Sequence, residues 1–198
     1  MKNLWDERYS SPEYIYGTEP NEYFRLYLSE TAAGKLLLPG DGEGRNAVFA
    51  ARSGWEVDAF DASSVGKRKA LKLAELNHTS INYTVSDISG YPYPVNHYDL
   101  VGIFFVHLPY PLREFFHKKL GSSLKPGGKI IMECFEKEQI SLTSGGPKSP
   151  ELLYSLDEIR GDFSGLNIIE MKKQEIFLNE GPLHQGRAMV IRILAEKI

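Results

Sequence analysis

From residue 35 onward, short apolar runs alternate with amphipathic segments: KLLLP, RNAVFAARSG, WEVDAF, SVGKRKALKLAEL, INYTV, YDLVGIFF, PLREFFHKKLGSSL and GKIIMECF. That rhythm predicts strands alternating with helices, hence an α/β domain with a parallel sheet. Several of the apolar runs show no in-out alternation, as expected of strands covered by helices on both faces, so the sheet should be doubly wound. The segments ARSG and LKPGG supply the glycine that ends a helix. Further on, SPELLYSLDEIR reads as one more helix after a Ser-Pro start. LNIIEMKKQEIFL and GRAMVIRILA read as two strands joined by NEGPLHQ, a link too short for a crossover helix. They are therefore antiparallel neighbours, a terminal hairpin at one edge of an otherwise parallel sheet. Residues 1–30 form an aromatic-rich N-terminal extension, a candidate lid, with a helix from about Asn21 after Pro20. Residues 31–198 form the main domain.

Composition narrows the function classes. With 198 residues, 42% of them hydrophobic and 25% charged, the chain suits a single soluble domain able to bury a real core. A net charge of -3 offers no electrostatic footprint for nucleic acid, and the run Lys67-Arg68-Lys69 with Lys72 reads as a solvated helix face. The opening MKNLWDERYS lacks the apolar core of a secretory signal, so a cytoplasmic location is expected. The greasy stretch from Leu100 to Leu108 is far shorter than the ~20 residues of a membrane span and reads as a buried strand. Cys134 is the sole cysteine, which excludes an intramolecular disulfide, and its place in IIMECF marks it as a core residue. No His-x-x-x-His or clustered ligand spacing is present, so no metal is expected.

The chemistry concentrates in LLLPGDGEGRN, residues 36–46. Gly40, Gly42 and Gly44 follow the first strand and open the first helix of the α/β repeat, where glycine lets backbone N–H groups approach a ligand. A dinucleotide fingerprint needs a third glycine where Arg45 stands, which disfavours a nicotinamide oxidoreductase. Asp61, at the end of the second strand, is placed to accept hydrogen bonds from ribose hydroxyls. Asp87, after the third strand, is placed to take an exocyclic amino group such as that of adenine.

Through LLLPGDGEGRN, AFDASS, VSDIS, YDLVGIFF and LKPGGKIIME, the chain resembles the class I S-adenosylmethionine-dependent methyltransferases over roughly residues 35–195. Through WDERYSSPEYIYGTEPN, HLP, SGGPKSPELL and NEGPLHQGRA it is similar to a bacterial small-molecule group near the tellurite-resistance methyltransferases. The resemblance implies a Rossmann-like sheet of seven strands whose antiparallel last strand is inserted at the edge. It also implies S-adenosyl-L-methionine as cofactor, held by Gly40, Asp41, Gly42, Gly44, Asn46, Asp61, Ala62, Ser63, Asp87, Ile88, Phe104 and Phe105, and a small-molecule acceptor. Leu38 departs from the family pattern, which keeps an acid two residues before the first glycine.

A methyl sulfonium is already electrophilic, so the protein has chiefly to align an acceptor and exclude water. Ligands in open α/β sheets lie beyond the carboxyl ends of the strands. That selects His107 after the fourth strand, the Ser144-Gly145-Gly146-Pro147 loop after the fifth, and His184 in the hairpin turn. His107 and His184 are candidate bases, and Tyr16, with Tyr14, a candidate aromatic cover for the sulfonium. Phe105 and Val106 should line the floor. His117 reads as a surface or helix-end residue, and His78 and His97 as loop residues. The rival readings are a non-catalytic S-adenosylmethionine-binding module and the nicotinamide oxidoreductase. The sequence does not specify oligomeric state.

Overall fold

The computed structural model describes residues 2–198, the side chains of residues 2 and 3 excepted. The chain divides into two packing units, residues 1–92 with 180–183, and residues 93–179 with 184–198. The first unit holds α1 (Lys2–Tyr9), α2 (Glu22–Ser29), β1 (Lys35–Pro39), α3 (Arg45–Arg52), β2 (Glu56–Asp61), α4 (Ser64–Leu76) and β3 (Asn82–Val85). Its strands run parallel, with Leu38 opposite Ala59 and Ala59 opposite Tyr83. Leu36, Leu37 and Leu38 are all fully buried. Three consecutive buried leucines mean that both faces of β1 are covered, and each contributes roughly 1.5–3 kcal/mol on leaving water. Pro39 ends β1, where a missing N–H is tolerated, and the Gly40 N–H donates to the Phe60 carbonyl at 2.7 Å. The helix expected near Asn21 is α2: the Asn21 side chain caps it by accepting from the Phe24 N–H at 3.1 Å, and Phe24 and Leu28 are buried. α1 lies in the extension, where no helix was expected.

The second unit holds β4 (Tyr98–Phe104), α5 (Leu112–Ser123), β5 (Leu124–Phe135), α6 (Leu156–Asp162), β6 (Asn167–Asn179) and β7 (Gln185–Glu196). β4 is parallel to β5, and β7 runs antiparallel between β5 and β6. The full order is β3-β2-β1-β4-β5-β7-β6, the seven-stranded, mostly parallel sheet with antiparallel C-terminal strands that the sequence predicts. Cys134 is fully buried in β5, as expected. Among the described residues, no helix is long and apolar enough to cross a membrane.

Three expectations are corrected. SPELLYSLDEIR is not one helix: a 3-10 turn spans Pro150–Leu152, Tyr154 bridges to Glu136, and α6 restarts after Ser155. The Tyr154 N–H donates to the Phe135 carbonyl at 3.2 Å, and Ser155 forms a capping box with Glu158, so tertiary pairing and a local cap together break the run. His117 is buried rather than superficial, because α6 brings Asp162 to 2.8 Å from its Nδ1 and Arg113 to 2.7 Å from the same carboxylate. The strand expected through Leu108 stops at Phe104, because Phe105 adopts a left-handed backbone with φ +56°.

Candidate active site

The glycine turn is organised within the first unit by Asp61. Its Oδ2 accepts from the Gly42 N–H at 3.2 Å and its Oδ1 from the Ser63 N–H at 2.8 Å. One carboxylate at the end of β2 thus ties the turn to the start of α4. Each oxygen accepts a single protein N–H and keeps a lone pair for a ligand hydroxyl. Burial raises the Asp61 pKa, a shift opposed by those two N–H groups and reinforced by Asp6. Gly42 (φ +58°) and Gly44 (φ +92°) both occupy the left-handed region. A Cβ on Gly42 would lie 2.5 Å from the Tyr9 hydroxyl, and one on Gly44 would lie 2.5 Å from the Cβ of Ala70. The turn is therefore a cradle for backbone approach, which fits a nucleotide-like ligand on this donor and acceptor set.

Other expected cofactor residues have varied surroundings. Ser63 caps α4, accepting from the Gly66 N–H at 2.9 Å, and donates to the Asp6 carboxylate at 2.6 Å. Ala62 lies beside it, half-buried. The Asn46 side-chain oxygen accepts the Asn21 N–H at 2.9 Å, so this group clasps the start of α2 to α3. Asp87 is exposed and accepts from the Gly90 N–H at 2.8 Å, with Ile88 half-buried next to it. Asp41 accepts from the Ala47 N–H at 3.4 Å through Oδ2, while its buried Oδ1 has no partner among the described residues. Burial pushes the Asp41 pKa well above the usual carboxylate range, opposed by the Ala47 N–H and Arg45. Leu38, fully buried two residues before Gly40, adds no charge.

Sequence reasoning missed how residues 6–21 grip this site. The Lys69 ammonium donates to the carbonyls of Ser11 (2.9 Å) and Glu13 (2.6 Å) and pairs with Glu43, which also accepts the Ile15 N–H at 2.9 Å. Lys69 thus clasps the extension and is not part of a solvated face. Tyr14 donates to the Lys69 carbonyl at 3.0 Å, and Arg8 donates to the Tyr16 hydroxyl at 3.1 Å. Trp5 and Tyr9 stack with centroids 5.5 Å apart. Their spacing of four residues was the available signal, since i and i+4 share a helix face.

In the second unit, His107 and His184 share one aromatic cluster around Phe135. His107 donates through Nδ1 to the Leu152 carbonyl at 2.6 Å and accepts the Phe135 N–H through Nε2 at 3.3 Å. Burial lowers its pKa from 6.5 to about 4. Both ring nitrogens of His107, an expected base, are engaged with backbone groups in this structure. His184 is buried, edge-on to Phe105 at 4.7 Å and to Phe135 at 5.5 Å. Phe104 is buried at the end of β4. Ser144 donates to the Arg187 carbonyl at 2.6 Å, and the buried Gln139 joins Ser144 to the Met189 N–H. The loop after β5 is thereby moored to β7, and Gly146 packs directly on Phe135. The left-handed Phe105 is backbone strain at a strand end, where functional sites commonly hold it.

Residues 37–128 match the family model described as a methyltransferase domain. No curated protein sequence matches the chain. Among solved structures, it is similar to the protein of "Conversion of a Disulfide Bond into a Thioacetal Group during Echinomycin Biosynthesis", with a TM-score of 0.83, 16% identity, and 100% of this chain covering 91% of that one. TehB from Haemophilus influenzae gives a TM-score of 0.74 at 15% identity, over 100% of this chain and 67% of that one. The N-methyltransferase NodS from Bradyrhizobium japonicum WM9, in complex with S-adenosyl-l-homocysteine, gives 0.76 at 13% identity, over 99% and 97%. Residues 37–128 thus match a methyltransferase domain, and the chain shares the fold of the class I S-adenosylmethionine-dependent methyltransferases.

Proposed function

We propose that this protein is an S-adenosylmethionine-dependent methyltransferase acting on a small-molecule acceptor. The observation that carries the reading is Asp61, buried at the end of β2 and bonded to the Gly42 and Ser63 N–H groups with acceptor capacity left for two ribose hydroxyls. The glycine turn accommodates the backbone approach, and Asp87 with Ile88 is assigned to the base. The cofactor supplies an electrophilic methyl group on a sulfonium. The protein's share is binding, alignment and exclusion of water. In the second unit His107 holds Phe135 and the segment through Leu152 in place. We assign His184, a candidate base from the sequence, to receiving the acceptor's proton.

Calorimetry with S-adenosylmethionine, S-adenosylhomocysteine and NAD tests the cofactor assignment. Micromolar binding of the first two without NAD supports it, and the reverse preference restores the oxidoreductase reading. A screen of thiol, amine, hydroxyl and chalcogen-oxyanion acceptors for S-adenosylhomocysteine release then tests turnover. Cofactor binding with no release from any acceptor favours a non-catalytic module.

A further inference from the structure

Tyr9 is only 4% exposed, and its ring is held by groups other than its own hydroxyl. Asp6 takes the Ser63 hydroxyl and the Val65 N–H, at 2.6 and 3.1 Å, which docks α1 on the start of α4. Trp5 stacks on the ring, and the Lys69 ammonium lies 3.5 Å from the Tyr9 carbonyl. The neighbouring phenols all have partners: Tyr83 donates to the Gly42 carbonyl at 2.7 Å, Tyr14 to the Lys69 carbonyl, and Tyr16 accepts from Arg8. The Tyr9 hydroxyl has no hydrogen-bond partner among the described residues, although it faces the glycine turn so closely that a Cβ on Gly42 would lie 2.5 Å away. A tyrosine whose ring is buried normally commits its hydroxyl to a protein partner, and one left uncommitted beside a ligand cradle is a group kept for the ligand. Burial, with Asp61, Glu43 and Asp41 nearby, raises the Tyr9 pKa, so the phenol keeps a proton to donate.

We propose that Tyr9 is a cofactor-binding residue: its hydroxyl, held over the glycine turn, donates a hydrogen bond to an acceptor oxygen of the bound cofactor, and α1 is a wall of that site. The inference rests on the cofactor reading above. Two oxygens have the required chemistry, a ribose hydroxyl and the carboxylate of the amino-acid end.

The test is Tyr9→Phe, measured by calorimetry with S-adenosylhomocysteine and with 5′-methylthioadenosine, which keeps the ribose but lacks the amino-acid carboxylate. Apo melting temperature should hold, because the variant removes a hydroxyl that makes no hydrogen bond to the protein. Affinity for S-adenosylhomocysteine should fall about 3- to 10-fold, the size of one hydrogen bond. A matching loss with methylthioadenosine identifies the ribose as the acceptor, and a loss confined to S-adenosylhomocysteine identifies the carboxylate. Unchanged S-adenosylhomocysteine affinity in a folded Tyr9→Phe protein overturns the proposal. If wild type binds neither ligand, it is the cofactor reading that has failed. Should Tyr9→Phe not fold, Asp6→Ala replaces it, since undocking α1 must also weaken S-adenosylhomocysteine binding, and unchanged affinity there equally overturns the role of α1.

Discussion

At the residue scale, two side chains at strand ends do opposite work. Asp61 is a buried carboxylate with unused acceptor capacity, so Asp61→Ala should weaken S-adenosylhomocysteine binding by about 1.5–3 kcal/mol, the range for hydrogen bonds to charged groups; titration calorimetry on the folded variant checks this. His107 is a buried neutral imidazole whose pKa falls from 6.5 to about 4. A base whose folded pKa lies below its unfolded value binds fewer protons when folded, so its contribution is fully present above pH 6.5 and is lost as pH falls toward 4. The loss approaches about 3 kcal/mol at the acid end. His107→Gln should flatten that part of the stability-pH curve relative to wild type, read by urea unfolding at pH 7, 5.5 and 4.5. If the two curves stay parallel, the ring is not the buried neutral group described here. His184→Gln should instead leave cofactor affinity intact and lower turnover by about 10²-fold once an acceptor is known.

At the scale of elements, the start of α3 is decided by backbone geometry. Gly44 is its N-cap in a left-handed conformation, and α4 comes close enough that a Cβ there would meet Ala70 at 2.5 Å. Gly44→Ala combines a strained φ with overpacking and should destabilise the fold by about 2–4 kcal/mol, measured by denaturant unfolding. A stability within error of wild type would show that α3 and α4 can separate without cost. The reading of 149–160 as one helix failed at this same scale: Ser155 and Glu158 are a capping box in plain sequence, but only the pairing of Tyr154 with Phe135 and Glu136 shows that the helix must start there.

For the whole molecule, ligand binding and stability are linked. S-adenosylhomocysteine at 100 times its Kd should stabilise the protein by about 2.7 kcal/mol, raising Tm by several degrees for a chain of this size. NAD at the same concentration should not. Differential scanning fluorimetry separates the two, and a shift with NAD alone would contradict the missing third glycine at Arg45.

The sequence by itself determined the α/β class, the terminal hairpin and the family resemblance, because period, link length and glycine spacing are local properties. KLLLP and WEVDAF announce buried parallel strands, NEGPLHQ is too short for a crossover, and Gly40-x-Gly42-x-Gly44 with Asp61 follows directly from strand ends. Tertiary structure alone decided which of the candidate groups are available. The nitrogens of His107, an expected base, are held by Leu152 and Phe135. The oxygen of Asn46, expected at the cofactor, is the one that accepts the Asn21 N–H. Lys69 looked solvated until the carbonyls of Ser11 and Glu13 closed on it. Those partners stand 25 to 58 positions away in the chain. A hydrogen-bonding group is spent or free according to what folding brings beside it, and no local pattern records that.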